Sequence, residues 1–366
     1  MGKIFLNNCR LVHDFYQLMQ KAITTFFLLL SSLVSFSQNG GQQTFFSLTF
    51  PTNSRIGALG GQDLATWNNE CAYFFQNPAT LDKRNSNSIF FNYTPISGHV
   101  QNSVFGISHT VKKIGNLGVG IQFLDYGIFE NTSEQGVDLG ETFYAKDFAA
   151  SIGYSNSLTE KMNYGISLKY IYSKIETYKS AGIAADAGLV FQDTATGITA
   201  GLDLKNIGTV LSDFTETATS NLPFDLQFGI SKKLSHTPFT LFLNLHDLYK
   251  FDIRYPRTET ETQLIVDSTN LRVKKYTVDK IFLHANFGIQ IDFGKNLKLN
   301  VGYNHQRRDE LGYSVRKGMS GFSFGVQISI KKINLGYSYA VYNISGGQNN
   351  LSFSLNINQL VGVRKM

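Results

Sequence analysis

The sequence predicts an all-β protein: a 14-stranded antiparallel transmembrane β-barrel with an N-terminal lumen plug. Three observations predict it. Apolar and polar residues alternate one for one through most of the chain, the period of a strand with one apolar face. The alternating segments often exceed the usual soluble strand of about 5 to 6 residues. The connections between them are short on one side and long on the other, as in outer-membrane barrels. Composition agrees: the 366 residues include 30 Phe, 18 Tyr and 33 Gly but only 6 Pro, and 16% are charged. Disordered and coiled-coil proteins lean on charge and avoid aromatics, so both classes are excluded. The net charge of +6 is spread thinly, which argues against a nucleic-acid-binding face. Two cysteines, Cys9 and Cys71, build neither a disulfide framework nor a zinc site.

Residues 1–37 read as a signal peptide. Met19-Gln20-Lys21 is a short positive start, Ala22 to Phe36 is apolar, and Ser35-Phe36-Ser37 offers small residues for cleavage. That apolar run falls short of the roughly 20 residues a membrane helix needs, so a removed signal is preferred to an anchor. Residues 1–18 fit a signal poorly, and Met19 is an alternative start. The exported chain then keeps Cys71 as its only thiol.

Residues 38–87 are of another kind, because alternation fails there. They hold Phe50-Pro51 through Gly60-Gly61, the single tryptophan Trp67, and Gln76-Asn77-Pro78-Ala79. About 8 strands already enclose a side-chain core, so a barrel of fourteen needs filling. This stretch is the natural plug, with Arg55, Gly57, Gly60, Gly61, Asn77 and Pro78 as its motif. Arg55 reads either as paired to a lumen acid, the preferred reading, or as a gate.

The barrel is expected over residues 88–359. Leu351 to Ile357 alternates without a fault, as do Phe322 to Ile330, Ile333 to Val341, Leu297 to Tyr303 and Tyr164 to Tyr172. The strands expected are 88–95, 101–111, 116–129, 142–156, 162–176, 181–192, 197–206, 222–233, 238–248, 281–293, 296–306, 318–330, 332–342 and 348–359. The longest connection, 249–280, is assigned to the cell exterior, and 360–366 to a periplasmic tail. Phe, Tyr, Leu, Ile and Val make the lipid face, with Tyr170, Tyr172, Tyr303, Tyr337 and Tyr339 placed for aromatic girdles. Gly165, Gly288, Gly302, Gly325 and Gly336 fall on the inner face, where the backbone can curve or something inside can approach closely.

A search for chemistry returns no catalytic, cofactor or metal site. Gly321-Phe322-Ser323-Phe324-Gly325 matches the nucleophile-elbow spacing, but that motif needs a strand-to-helix turn and here lies inside an alternating strand, so a lumen-facing structural serine is preferred. Asp186, Asp203 and Asp225 share a polar face with Lys169 and Lys205, which favours internal ion pairing over a cation or acid-base site. The histidines lack metal-ligand spacing. Arg307 and Arg308, at the outer end of an expected strand, read either as a lipopolysaccharide phosphate contact or as solvated loop bases.

The run from Phe50 to Gly61, Asn77-Pro78-Ala79, Tyr303 to Leu311 and Gly318 to Gly325 together resemble the PorQ family of the type IX secretion system in Bacteroidetes, over essentially the whole mature chain. The resemblance implies a FadL-like barrel similar to PorV, in the outer membrane of a Gram-negative bacterium. It also implies a non-enzymatic place in the cell-surface attachment complex, holding a PorZ-like partner beside a PorU-like sortase and a PorV-like shuttle. That complex links cargo to anionic lipopolysaccharide. The partner is expected on the long loop, through Arg254, Arg257, Glu259, Glu261, Arg272, Lys274 and Lys275. A FadL-like transporter of hydrophobic solutes is the alternative.

Overall fold

The computed structural model describes residues 44–96, 99–133, 135–215, 220–253, 277–311, 318–330, 332–343 and 346–357. Fourteen strands form one closed antiparallel barrel, each hydrogen-bonded to its neighbours in sequence. They are β1 (Ser88–Pro95), β2 (Gln101–Val111), β3 (Gly115–Thr132), β4 (Asp138–Thr159), β5 (Met162–Ile175), β6 (Tyr178–Asp193) and β7 (Ile198–Ser212). The second half comprises β8 (Asp225–Lys233), β9 (Phe239–Leu245), β10 (Ala285–Phe293), β11 (Leu297–Asn304), β12 (Phe322–Ile330), β13 (Ile333–Asn343) and β14 (Gly346–Asn356). Closure is made by β1 on β14, from Ser88 opposite Asn356 to Tyr93 opposite Leu351. No sheet edge remains unpaired along that seam, which is what lipid demands of a spanning sheet.

The alternation sorts as expected. Ile152 is 61% exposed and Leu168 is 67% exposed, while the residues between such positions turn inward and are buried. Tyr170 and Tyr337 face outward with them. Short turns, such as Lys112–Ile114 and Gly294–Asn296, close one end of the barrel.

Several boundaries differ from expectation, for local reasons. β3 and β4 run further than 129 and start earlier than 142, so their tips rise as a two-stranded ribbon in which Phe129 stacks on Phe143 at 5.3 Å. Residues 138–142 are exposed on both faces, so no alternation marks them. β7 continues past 206 because the phase breaks there: Lys205 and Asn206 are both buried, Asn206 has a φ of 56°, and the two of them bulge opposite the single residue Asp186 of β6, between the pairs Ala187–Leu204 and Ala185–Ile207. Residues expected to begin the tenth strand lie instead in helix α2 (Thr277–Leu283), which follows α1 (Ser54–Ala58). His305–Leu311 forms helix α3 rather than a strand end, since the Asn304 side chain accepts from the Arg307 N–H at 2.7 Å and caps it.

Residues 44–87 lie against the inward face of the barrel as α1 and four short 3-10 helices. Helix α1 packs on β11 to β14, Cys71–Phe75 on β1 and β2, and Pro78–Thr80 on β4 to β6. A core of Cys71, Ala72, Phe74, Phe75, Leu81, Phe90 and Val104 joins segment and wall, and a second joins Phe45 to Ala149, Ile171, Ala184 and Leu222. Each of the five inner glycines named above faces this segment: Gly165 meets Pro78 and Ala79, Gly288 meets Leu59, Gly302 and Gly325 meet Ala58, and Gly336 meets Ser54.

At Gly302 a β-carbon would stand 2.5 Å from the Gly60 nitrogen, backbone against backbone. Gly302→Val is therefore expected to cost about 1–3 kcal/mol through overpacking. The outward Val301→Leu should change stability little. Thermal unfolding of both variants in detergent checks this, and equal midpoints would refute the close-approach account.

Candidate functional site

The inner segment and the wall it meets share an extended set of buried polar contacts. Asn53 opens α1: its side chain accepts from the Arg55 N–H at 2.7 Å and donates to Glu70 at 3.1 Å. Arg55 is 5% exposed. Its guanidinium donates to the Tyr73 hydroxyl at 3.0 Å, lies 3.8 Å from the Asp63 carboxylate, and stacks over Phe242 of β9 at 5.3 Å. Asp63 also accepts from Thr66 at 2.7 Å. The acid that pairs with Arg55 thus belongs to its own segment and not to the lumen wall, so the pair holds the segment's own shape. Burial pushes the Cys71 thiol up to about 12, which keeps it protonated and unreactive.

The glycines of the motif end α1. Gly60 and Gly61 adopt φ of 93° and 102°, and the Gly61 N–H returns to the Ile56 carbonyl at 2.9 Å. At Gly57 a β-carbon would stand 2.6 Å from the Asn350 amide. Asn77 caps the turn that begins with Pro78, accepting from the Ala79 N–H at 2.9 Å. Its amide donates to the carbonyls of Leu189 on β6 and Leu202 on β7, at 3.0 and 3.3 Å.

Sequence reading missed the wall's side of this attachment. Asn244, Asn286 and Asn304 stand directly opposite one another on β9, β10 and β11. Asn244 accepts from the Leu64 N–H at 3.0 Å and donates to the Gln62 carbonyl at 3.1 Å. Asn286 donates to the Gln62 side chain and Asn304 to the Gly60 carbonyl, both at 3.0 Å. Gln122 on β3 donates to the Ser47 carbonyl at 2.6 Å, and Ser231 on β8 to that of Ala65 at 2.8 Å. Asparagine recurring near the outer ends of three consecutive strands was the available signal.

Arg307 turns inward: it donates to the Gly60 carbonyl at 3.2 Å and lies over Tyr342 at 4.4 Å. Arg308 donates to the carbonyls of Gly318 and Ser320, both at 3.2 Å. These contacts engage both guanidiniums with protein carbonyls, from a helix where a strand end was expected. Lys169 pairs with Asp186 at 2.7 Å, as internal ion pairing requires. Asp203 and Asp225 join no metal cluster; among the described residues none is present. Ser323 is fully buried on β12, without the turn a nucleophile needs. Arg254, Arg257, Glu259, Glu261, Arg272, Lys274 and Lys275 lie outside the described residues.

At the rim beyond β9, His246 is buried with its ring 2.9 Å from the Asp247 carboxylate. Burial pulls its pKa down, but the Asp247 hydrogen bond and the nearby carboxylates outweigh it, leaving a value above the ordinary 6.5.

No family model matches the chain, and no curated protein matches it. Among solved structures, it is similar to a TodX monoaromatic hydrocarbon channel carrying the deltaS2S3 deletion, at 12% identity over 84% of this chain and 99% of that one, with a TM-score of 0.53. The Pseudomonas putida toluene transporter TodX matches at 13% identity over 84% and 99%, with a TM-score of 0.49. A Pseudomonas aeruginosa FadL homologue matches at 8% identity over 83% and 97%, with a TM-score of 0.43. The likeness to the first of these is one of fold: a closed antiparallel barrel.

Two outcomes test the site. Arg55→Ala strands Asp63 as a buried charge and is expected to cost about 3 kcal/mol, whereas the paired Arg55→Met, Asp63→Leu variant should lose less; denaturant unfolding compares them. A raised histidine pKa contributes stability that is complete below 6.5 and lost as pH rises through the folded value. The thermal midpoint should therefore fall over that window in the native chain and less so in His246→Asn.

Proposed function

We propose that the chain is a non-enzymatic outer-membrane component of type IX protein secretion, which anchors a PorZ-like partner at the cell surface in the complex that attaches cargo to anionic lipopolysaccharide. The observation that carries this reading is the occupied lumen. The inner segment is hydrogen-bonded to β3, β6, β7, β8, β9, β10 and β11 through Gln122, Asn77, Ser231, Asn244, Asn286 and Asn304. A barrel filled in this way offers its loops, rim and outer face as working surfaces. The motif residues that carry the PorQ resemblance are the ones that build the filling, which supports the same reading. Residues 1–37 act as the export signal and 38–87 as the plug.

A second reading, a transporter of hydrophobic solutes, is favoured by the fold likeness to a monoaromatic hydrocarbon channel. That likeness stands closer to transport than to anchoring. One fold hosts many functions, however, so the interior weighs against it. Apart from the apolar cores around Phe74 and Phe45, the buried inward residues of the wall are mostly Asn, Gln, Ser and Thr, which suit an apolar solute poorly.

Purification of the tagged full chain from its own outer membranes, with identification of what accompanies it, separates the two. Recovery of PorZ-like and PorU-like chains, and release of the PorZ-like chain by deletion of residues 254–276, is the expected result. Recovery of the barrel alone, together with loss of toluene uptake in a knockout, would replace anchoring by transport.

A further inference from the structure

The outward face of β3 to β6 carries a row of charge above its apolar belt. Asp125, Lys146, Lys174 and Lys179 are direct cross-strand partners on these four successive strands. Their chain neighbours Leu124, Ala145, Asp147, Ser173 and Ser180 are buried toward the lumen, so all four point to the lipid side. One pleat nearer the middle of the belt stand Phe123, Phe148 and Tyr172, and then Ile121, Tyr170 and Ile183. The row lies at the end of the barrel that bears the long loops.

Like charges directly opposite one another in a sheet repel. Here Lys174 has a lysine on both sides. Lys146 reaches Asp125 at 3.7 Å, but among the described residues no carboxylate pairs with Lys174 or Lys179. An external anion placed against the row would relieve this repulsion.

A notch of about 400 Å³ opens at this place, with Lys146, Lys174, Thr142, Tyr144 and Glu176 among its lining. It exists because β4 outruns β5. The last rung between them is the Glu176 N–H on the Tyr144 carbonyl, at 3.0 Å. Two residues on, the Thr142 backbone points the same way with no strand beside it, since successive strand residues alternate their hydrogen-bonding direction. Ammonium groups and a free amide therefore converge on one opening, with Glu176 as the single carboxylate on its rim.

We propose that this notch, together with the lysine row beside it, binds the phosphate of an anionic glycolipid of the outer leaflet, with Lys174 on the notch lining and Lys179 next to it in the row as counter-charges. The lipid's acyl chains lie along the Phe148 and Tyr172 face below. Lysine suits this role as a point charge on a long stem that reaches along an apolar surface to the headgroup level. The inference rests on the barrel's place in the outer membrane and is independent of which partner it anchors.

The test uses the full-length protein in phosphatidylcholine vesicles that contain either bis-phosphorylated lipid A or the same lipid A stripped of phosphate. Bound lipid is counted by native mass spectrometry after extraction. The native chain should retain the phosphorylated form selectively, and Lys174→Gln with Lys179→Gln should lower retention by roughly 25-fold, from roughly fivefold per lysine near a charged membrane surface. If the double variant fails to fold, Lys174→Gln alone should show roughly fivefold. Equal retention by variant and native chain, or retention indifferent to lipid phosphate, would overturn the proposal. Displacement of lipid A by millimolar inorganic phosphate would also overturn it, because the site would then serve a free anion. The readout is lipid, so failure to capture a protein partner leaves this result intact.

Discussion

The approach of a folded segment to a glycine-faced wall is the constraint on which the rest of this molecule depends. A sheet in lipid must close on itself so that every backbone group is paired, and its outer face must be apolar. Those two demands fix the inner face as the polar one. Fourteen strands enclose more space than inward side chains can fill. Glycine at Gly288, Gly302 and Gly325 removes wall side chains where α1 arrives, so that Leu59 and Ala58 can lie on the sheet backbone itself. The wall is thin where the segment is thick, and neither surface would be complete alone.

Close approach brings backbone amides and carbonyls of the segment into a dry interior, where an unpaired group costs about 1–3 kcal/mol. The wall answers with side chains that both donate and accept. Asn244 illustrates the economy of this: one amide accepts from Leu64 and donates to Gln62. Aspartate could only accept, and leucine could do neither. The Arg55 and Asp63 pair belongs to the same logic, since a segment with so little regular helix needs internal contacts to hold its shape while the wall grips it.

Most of the barrel is legible in the sequence because lipid outside and polar filling inside impose a strict period of two on every strand they bound. Legibility fails wherever one of those boundaries is missing. Residues 138–142 rise clear of the belt, so both faces meet water and the pattern vanishes although the strand continues. At Asn206 a bulge shifts the phase, and the alternation read from the sequence stops there although β7 continues to Ser212. His305 to Leu311 looked like a strand end because Tyr303 and His305 alternate, but Asn304 as a cap was the stronger signal. In the lumen, the motif glycines and Asn77 stood out because alternation fails around them and because they carry the family resemblance. The partner of Arg55 did not, because sequence distance says nothing about which of several acids lies within reach, and Asp63 was nearer than any wall residue. The asparagine row showed in the sequence only as a recurrence at strand ends, since its three members become neighbours once the register of β9 to β11 is known.

A filled lumen also decides where selection by charge can act. Inside, two buried cations have an acid beside them, Lys169 with Asp186 and Arg55 with Asp63. On the lipid face of β4 to β6 the lysines are not matched in this way: Lys146, Lys174 and Lys179 stand in one row, and a single aspartate at its end answers only the first. Charges placed at random on strands would seldom fall into register three times running, and repulsion within the folded sheet disfavours the arrangement in isolation. The row occurs where the apolar belt ends and β4 rises beyond its neighbour, which is the level at which lipid headgroups lie. A lysine row left without carboxylate partners at headgroup height places charge-selective contacts on the outside of the wall.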